Sequence, residues 1–366
     1  MFRTFFVIVY FTHVLFDQNN ILRGAVSSAC QLSCSKALGY SLFQKRCRKF
    51  GIVSESNISG QTHPVGRMAI HPSGEPVATV VNMRRRRRMD VDDYVKTATA
   101  PFGSGSQGAV FKAKHRVTGE PVVVKTFKNV DTGSREAWAL YRLQAQKQHR
   151  HIICYKACSP CCKYIVLELA EGVEMLDVAQ RHGGIDDSRA RPLFAQMLAG
   201  VQHMHSSGLA HMDLKLENLI LTKQGVAKWL DFGLSVIHQA RGESGSWERE
   251  AVPFSGSKAY CAPEALAGQA ADGFAADVWS LGVCLFALST SRFPFDAANE
   301  SDMRYNTFLS ASRAGTSPLR SIYRTADFPL SDGLADLLEG MLVVDPKHRF
   351  TLDQVRAHHW LRPQSA

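Results

Sequence analysis

The segment from His211 to Asn218, HMDLKLEN, carries side chains suited to proton transfer and metal binding. Asp213 and Asn218 stand five positions apart, a spacing that places a carboxylate beside an attacking hydroxyl and an amide on a metal ion. Thirteen residues beyond Asn218, Asp231 opens an Asp-Phe-Gly triplet whose carboxylate could hold magnesium. The chemistry predicted from this spacing is in-line transfer of a phosphoryl group, with no covalent intermediate.

A glycine-rich loop precedes this segment in the chain. Gly103, Gly105 and Gly108 form a G-x-G-x-x-G pattern, which lets backbone amides approach phosphates without side-chain obstruction. A dinucleotide-binding loop would open a helix, but the strand-like run AVFKAK follows here. The pattern therefore favours a glycine-rich hairpin and disfavours a nicotinamide cofactor.

A lysine and a glutamate complete the residues that could handle phosphates. Lys125 ends the strand-like run VVVK, where it could pair with the α- and β-phosphates if a carboxylate orients it. Glu136 lies in the helical segment REAWALYRL and is the candidate for that role. A surface salt bridge is the alternative role for this glutamate.

Two groups of elements must position these residues. A β-rich unit with one helix, Ser134 to Gln146, comes first, and its predicted strands are Ala109–Lys114, Pro121–Phe127, Ile152–Cys158 and Lys163–Leu169. From about residue 188 the apolar residues recur at three- and four-residue steps. We therefore expect an α+β chain with a mainly helical second unit.

Taken in order with Ala262-Pro263-Glu264, these motifs make residues 94–361 resemble a complete eukaryotic protein kinase domain. The resemblance implies a bilobal fold, with a small β-rich N-lobe at about 94–169 and a larger, mainly helical C-lobe at about 170–361. It also implies ATP and Mg²⁺, with Mn²⁺ as an alternative metal. The KLEN and HHWL sequences look most like the calcium/calmodulin-dependent and AMP-activated kinase groups.

The resemblance also implies a role for each matching residue. Catalysis falls to Asp213, Lys215, Asn218, Lys125, Glu136 and Asp231, with Asn218 and Asp231 as metal ligands. The three glycines would bind the phosphates, and Val110, Val123 and Ile220 would surround adenine. Glu168 and Ala170, which follow the gatekeeper Leu167, would make the hinge contacts, and Glu174 would bind the ribose. Bracing of the site falls to Asp277 under the catalytic loop, to Glu264 paired with Arg349, and to Phe232 stacked with Leu140 and His211.

The substrate class can be narrowed from the same resemblance. Lys215, two residues after Asp213, and Ser257 resemble the serine/threonine branch, so the expected substrates are proteins with Ser or Thr acceptors. Glu174 with Glu217 favours basic substrates that have arginine before the acceptor. A scaffold related to inactive kinases is the alternative, although such proteins commonly lack the lysine, the base or the metal aspartate, and all three are present here.

Three departures from the family pattern bear on function. Met212 stands where most kinases have the arginine that gathers a phosphate, so we predict activation that does not need phosphorylation of Ser244, Ser246 or Ser255. Val123 replaces the usual alanine and narrows the roof over adenine. Glu136 follows Lys125 by only eleven positions, which implies a trimmed loop or a shortened start to the helix.

The N-terminal quarter is basic and differs from the rest of the chain. Residues 1–90 hold 13 Lys and Arg against 4 Asp and Glu, whereas the remainder holds 30 against 29. An apolar run within about residues 1–29 fits a secretory signal peptide, with a misassigned start codon as the alternative. The rest of this extension, which we expect to be mostly disordered, ends in Arg84–Arg88, which suits a solvated linker, a nuclear-import signal or an anionic membrane contact. The compartment is thus the secretory pathway if the signal is real, and the cytoplasm or nucleus otherwise.

The composition also bears on other partners and ligands. The region after residue 90 is close to neutral and has no recognised nucleic-acid reader, so no specific nucleic-acid partner is expected. The sequence leaves the oligomeric state open. Nine cysteines cannot all pair within one chain. Those at 154–162 lie beside two histidines and fit either a zinc site or, more simply, two strands joined at Ser159 and Pro160.

Overall fold

The first part of the fold is an antiparallel sheet covered by one helix. A computed structural model describes residues 93–104, 108–238, 240–241, 246–247, 251–252, 256–269, 271–323 and 330–362. The strands of this sheet are β1 (Tyr94–Lys96), β2 (Gly103–Ser104), β3 (Gly108–His115), β4 (Pro121–Phe127), β5 (Tyr155–Cys158) and β6 (Tyr164–Glu168). Their order is β1-β3-β4-β6-β5, with β2 paired to β3.

The sheet buries apolar side chains on both faces, because successive residues of a strand point in opposite directions. Val122 and Val124 of β4 pack with Val166 of β6 in one cluster. Val123 belongs to the other face, whose cluster includes Leu140. Leu140 is on helix α1 (Val130–Gln146), which therefore covers the face that carries Val123.

Helix α1 begins four residues before the predicted start at Ser134. Asn129 caps it by accepting a hydrogen bond from the Asp131 N–H at 2.8 Å, and only Lys128 and Asn129 link it to β4. Within the span between Lys125 and Glu136, the helix thus begins six residues before Glu136, and the link from β4 is short. The sequence prediction missed this because Gly133 weakens the helical pattern.

The second part is mainly helical and also contains short strands. Its helices are α2 (Met175–Arg181), α3 (Asp187–Ser206), α4 (Pro263–Leu266), α5 (Gly273–Thr290), α6 (Met303–Arg313), α7 (Pro318–Ser321), α8 (Asp332–Met341) and α9 (Leu352–Ala357). Its strands are β7 (Gly172–Glu174), β8 (Leu209–Ala210), β9 (Leu219–Thr222), β10 (Ala227–Trp229), β11 (Val236–Ile237), β12 (Ala240–Arg241), β13 (Ser246–Trp247), β14 (Ala251–Val252) and β15 (Ala271–Asp272).

Helix α5 is the centre of the helical core. By length and composition it could cross a membrane, but 89% of it is buried within the protein, which identifies it as a core helix. The predicted periodic residues Val278, Leu281, Leu285 and Leu288 are all buried on it. Together with the sheet, this arrangement confirms the predicted α+β class with a β-rich part before a helical part.

The predicted strand Ile152–Cys158 is shorter than expected. Strand β5 begins at Tyr155, while Ile152 forms an isolated parallel bridge with Trp229 of β10. The Ile153 N–H donates to the Trp229 carbonyl at 3.0 Å. These residues were predicted to extend the hairpin because they are apolar and β-branched, but they instead join the sheet region to the helical part.

Candidate active site

The loop between β8 and β9, which begins with His211, Met212 and Asp213, is held in place by helix α5. The backbone N–H groups of His211 and Met212 donate to the two carboxylate oxygens of Asp277 at 2.7 and 2.9 Å. Asp277 is 1% exposed, so these bonds lie out of water. Met212 has a φ of +64°, a strained conformation for a side chain that is not glycine, and the Asp277 bonds help to hold it.

Asp213 lies at the centre of a polar network. Lys215 Nζ donates to its Oδ2 at 2.7 Å, and Asn218 Nδ2 donates to the same oxygen at 3.1 Å. The Ser257 N–H donates to Oδ1 at 3.1 Å, and Lys215 Nζ also reaches Ser257 Oγ at 2.9 Å. The two pairs that the sequence singled out, Asp213 with Asn218 and Lys215 with Ser257, are therefore brought together.

Lys125 lies between two carboxylates from different parts of the fold. Its Nζ is 2.7 Å from Glu136 Oε2 and 2.9 Å from Asp231 Oδ1. The ion pair between Lys125 and Glu136 that the sequence suggested is therefore present. Glu136 is completely buried, which rules out the alternative of a surface salt bridge.

The charges of these three groups influence one another. Burial lowers the pKa of Lys125, but the adjacent Glu136 and Asp231 carboxylates more than offset it and leave that pKa above its usual value. Complete burial raises the pKa of Glu136 to about 7 in spite of Lys125. Burial also acts to raise the pKa of Asp231, but Lys125 outweighs it and holds that pKa below the usual range. Lys125 thus stays cationic and Asp231 stays anionic at neutral pH.

The Asp-Phe-Gly turn is fixed to both lobes. Asp231 has a φ of +57°, and the Gly233 N–H donates to Asp231 Oδ1 at 3.3 Å. The buried ring of Phe232 lies 4.9 Å from the His211 ring, in the same apolar cluster as Leu140. Arg135 Nη1 of helix α1 donates to the Gly233 carbonyl at 3.0 Å. The turn is therefore tied to the helix that carries Glu136.

The predicted nucleotide residues that the structure describes lie on or beside strands of both parts of the fold. Gly103 pairs with Val110 across the β2–β3 hairpin, and Val123 pairs with Leu167 across β4 and β6. Ile220 of β9 pairs with Glu174, whose backbone ends β7. Glu168 ends β6, and its carboxylate lies 2.7 Å from Lys228 Nζ. Ala170 packs on the core of the helical part.

The donor atoms suit a divalent metal and a nucleotide phosphate. Asn218 uses its amide nitrogen on Asp213, which leaves the amide oxygen as its metal-binding atom. The Asp231 carboxylate is 30% exposed, so it can still reach a ligand. Oxygen donors of this kind match Mg²⁺. Gly108 begins β3, and a Cβ there would lie 1.7 Å from the Thr126 carbonyl of the neighbouring strand β4. This position therefore needs glycine.

A buried ion pair lies in the helical part of the fold. Arg349 donates through Nη1 and Nη2 to the two carboxylate oxygens of Glu264, at 2.7 and 2.9 Å, and neither side chain is more than 6% exposed. The structure thus contains the predicted pair of Glu264 and Arg349. Arg349 also donates to the Ala275 carbonyl at 2.8 Å, which connects α4 with α5.

Sequence reasoning missed two links of this site. Arg135 was not singled out, and its Nη1 donates to the Gly233 carbonyl at 3.0 Å. Tyr260 was also missed, and its hydroxyl donates to Glu217 at 2.8 Å. Both links depend on chain folding, because their partners lie 98 and 43 residues away.

Several predictions fall on residues that the structure does not describe. These are Gly105, the extension at 1–90 with its signal-peptide segment and Arg84–Arg88, and most of the segment at 239–255 that contains Ser244 and Ser255. None of the comparisons with known proteins supports the secretory alternative.

The cysteines at 158–162 lie on the β5–β6 hairpin, as the simpler of the two interpretations expected.

The fold and the site together define a protein kinase. A family model described as protein kinase domain matches residues 97–361, and the chain belongs to this family. Members of the family use ATP and a divalent metal ion.

Curated relatives are serine/threonine kinases. The chain is 33% identical over 266 residues to serine/threonine-protein kinase SIK2 from Gallus gallus. The aligned residues make up 71% of this chain and 31% of the relative. It is 32% identical over 295 residues to serine/threonine-protein kinase SIK1 from Mus musculus, which covers 79% of this chain and 35% of the relative. The chain thus matches only about a third of the length of these relatives.

Proposed function

We propose that this protein transfers the γ-phosphoryl group of ATP to serine or threonine hydroxyls of protein substrates. The observation that carries the proposal is the network around Asp213, whose carboxylate accepts hydrogen bonds from Lys215, Asn218 and Ser257 at 2.7, 3.1 and 3.1 Å. An intact Lys125, Asp213 and Asp231 favours an active enzyme over a scaffold.

Each residue has a defined task in this reaction. Asp213 Oδ2 accepts bonds from Lys215 and Asn218, so its position is fixed and it can orient the attacking hydroxyl and accept its proton. Lys215 neutralises charge beside that oxygen. Lys125, oriented by Glu136, binds the phosphates of ATP. A bound Mg²⁺, held by Asn218 and Asp231, would neutralise charge between the β- and γ-phosphates, and Mn²⁺ could occupy the same oxygen donors.

The test is phosphoryl transfer by the full chain with labelled ATP, magnesium and basic serine peptides. We expect transfer that is lost on chelation of the metal and falls at least about 100-fold in Asp213→Asn, because the oriented base is removed. Asp353→Asn, a change at an exposed carboxylate on α9, is the matched control and should transfer at the wild-type rate. Absence of transfer by the wild-type protein would favour the scaffold function.

We further propose that the substrate has arginine before the acceptor. Burial raises the pKa of Glu174, and the nearby carboxylates of Asp177 and Glu217 raise it further, so three acidic groups share one surface. A guanidinium would relieve their mutual repulsion. Glu171 is close in the chain, but its carboxylate is already paired with Lys223 at 2.8 Å.

This preference predicts a specific pattern of kinetics. With peptides that differ only in arginine or alanine before the serine, Glu174→Gln should reduce the ratio of their kcat/KM values about tenfold, since one charged contact is lost. The matched change Glu171→Gln should leave the ratio as in wild type. An unchanged ratio in Glu174→Gln would contradict the preference without affecting the proposed activity.

A further inference from the structure

Two histidines and an aspartate that play no part in the proposed reaction lie together on the surface of the helical part. His358 and His359 directly follow α9, in the sequence HHWL. Asp336 is on α8, where its neighbours Ala335 and Leu337 are buried and Asp336 itself is exposed. One potential metal-binding atom of each of the three residues lies within 4.8 Å of those of the other two.

The distances between these atoms are close to those of a tetrahedral metal site. Asp336 Oδ2 is 3.1 Å from His358 Nε2 and 3.8 Å from His359 Nδ1. Imidazole nitrogens and carboxylate oxygens bind Zn²⁺ at about 2.0–2.2 Å in a tetrahedral arrangement, so two ligands of one ion lie roughly 3.3–3.6 Å apart. Since the ring of His359 is exposed, it has room to rotate and complete this geometry.

The exposure and the chemistry of the three side chains suit a transition metal. The side chains of Asp336 and His359 are 66% and 59% exposed, whereas that of His358 is 10% exposed. An ion can therefore enter from solvent and keep a water molecule as its fourth ligand, as in zinc sites with two histidines and one carboxylate. Imidazole ligands favour Zn²⁺ over Mg²⁺, which prefers a set of oxygen donors.

Trp360 fixes the backbone that carries the two histidines. Its indole Nε1 donates to Asp187 Oδ2 on α3 at 2.7 Å, and Arg191 Nε of the same helix donates to its carbonyl at 2.5 Å. The ring centroids of His358 and His359 are 4.3 Å apart. Because the histidines are already held side by side, an ion would order little of the chain when it binds.

Binding breaks one long hydrogen bond. The Trp360 N–H donates to His358 Nδ1 at 3.3 Å, so the proton of the neutral ring is on Nε2, which faces Asp336. A metal ion on Nε2 takes the place of this proton, and the proton moves to Nδ1. The bond from Trp360 is then lost, and a neutral bond of this length contributes little free energy beside a metal ligand.

We propose that Asp336, His358 and His359 form a binding site for Zn²⁺, and that the bound ion fastens residues 358–361 to helix α8. The ligands are brought together only when the two segments have folded, so the ion binds the folded chain in preference to the unfolded chain and stabilises it. This site uses none of the residues of the proposed reaction. Its test is therefore independent of the proposed kinase function.

The site is tested by calorimetric titration of the metal-free, reduced full chain with Zn²⁺. We expect binding that weakens at least about tenfold in His359→Ala and in Asp336→Asn, because each change removes one of three ligands. His348→Ala is the matched control and should bind as wild type. His348 is exposed and pairs with Asp345 at 2.9 Å, but the two belong to no group of three potential ligands among the described residues. Equal affinity in wild type, His359→Ala and Asp336→Asn would overturn the site, and binding that requires millimolar Zn²⁺ would show an adventitious ion only.

A second measurement separates this site from the cysteines, which can also bind zinc. With Co²⁺ as the probe, thiolate ligands give an intense charge-transfer band that imidazole and carboxylate ligands lack. We expect visible Co²⁺ bands that depend on His359, without that charge-transfer band. We also expect Zn²⁺ to raise the Tm of the wild type and of His348→Ala, but not of His359→Ala. A thiolate band as the sole Co²⁺ signal, or an equal rise in Tm in both variants, would contradict the proposal.

Discussion

Met212 bears on how the proposed activity would be controlled. It packs with Ala210 and Phe274, and Val236 lies against this cluster. The resemblance to kinases places a phosphate-gathering arginine at this position, but here the surroundings are apolar. A phosphate group has no cationic partner at residue 212, and the catalytic loop is held by Asp277 instead.

The first prediction concerns the serines that could be phosphorylated on the segment after the Asp-Phe-Gly turn. The triple variant Ser244→Ala, Ser246→Ala, Ser255→Ala should phosphorylate peptides within about twofold of wild type, because Met212 cannot bind a phosphate. Initial rates and the circular dichroism spectrum of the variant provide the measurement. Loss of activity in a folded variant would show that a phosphate is needed after all.

A second prediction at this scale concerns Gly133 inside α1. Replacing a helical glycine by alanine usually stabilises a protein by about 0.5–1 kcal/mol. Here the new Cβ would clash with the Cys162 carbonyl at 2.0 Å and with the Phe127 ring at 2.8 Å. Gly133→Ala should therefore lower the free energy of unfolding by roughly 1–3 kcal/mol, as measured by urea titration. A more stable variant would show that the contact is not tight.

At the scale of residues, the sequence predicted which side chains meet in the site better than it predicted their backbone conformations. The spacing of Asp213 and Asn218 is a direct property of the chain, and the structure brings the two side chains together. The left-handed backbone of Met212 and Asp231 could not be inferred, because it is imposed by contacts with distant residues.

At the scale of elements, helix α1 is attached to the rest of the site in several places. Its connection to β4 is two residues long, and Arg135 and Arg142 donate to carbonyl groups of Gly233 and Ser207 at 3.0 and 2.9 Å. Both bonds are made to backbone, so they need no phosphate. They hold α1 where Glu136 meets Lys125, and this supports activity independent of phosphorylation.

The third prediction follows from these attachments. Arg135→Met should reduce kcat about tenfold, with a smaller change in KM for the peptide, because a charged hydrogen bond that positions Glu136 and the Asp-Phe-Gly turn is lost. Arg135→Lys should recover part of the rate. The exposed Arg356, on α9, provides the control Arg356→Met, which should behave as wild type. Equal rates in Arg135→Met and wild type would show that the bond has no positioning role.

The elements themselves were predictable to different degrees. Strand β4 matches its predicted bounds because a run of valines between turn residues is a clear signal. The start of α1 and the start of β5 were displaced, since a side-chain cap at Asn129 and the bridge between Ile152 and Trp229 override local pattern.

At the scale of the whole molecule, the pair of Glu264 and Arg349 joins regions that are 85 residues apart. The fourth prediction is that Arg349→Met lowers the free energy of unfolding by about 3–5 kcal/mol, because it leaves the buried Glu264 carboxylate without its partner. Lys223→Met removes the exposed pair with Glu171 and should lower the free energy of unfolding far less, because water screens that pair. Urea titration measures both, and equal losses would contradict the assigned importance of burial.

The class of the whole fold was predictable because its motifs occur in a fixed order along the chain. What could not be predicted is the set of contacts that close the structure. The hydrogen bond from Arg135 to the Gly233 carbonyl and the contact between Cys162 and Gly133 each join residues from separate elements. No local pattern in the sequence indicates them.

The fit of Gly133 against the Cys162 carbonyl has a consequence for how sequences of this kind can diverge. A larger residue at position 133 is accommodated only if the turn at 159–163 also changes its length or path. Among relatives, we therefore expect substitution of this glycine to accompany insertions or deletions in that turn, so that the two segments vary together. An alignment in which they vary independently would show that natural selection does not preserve this contact.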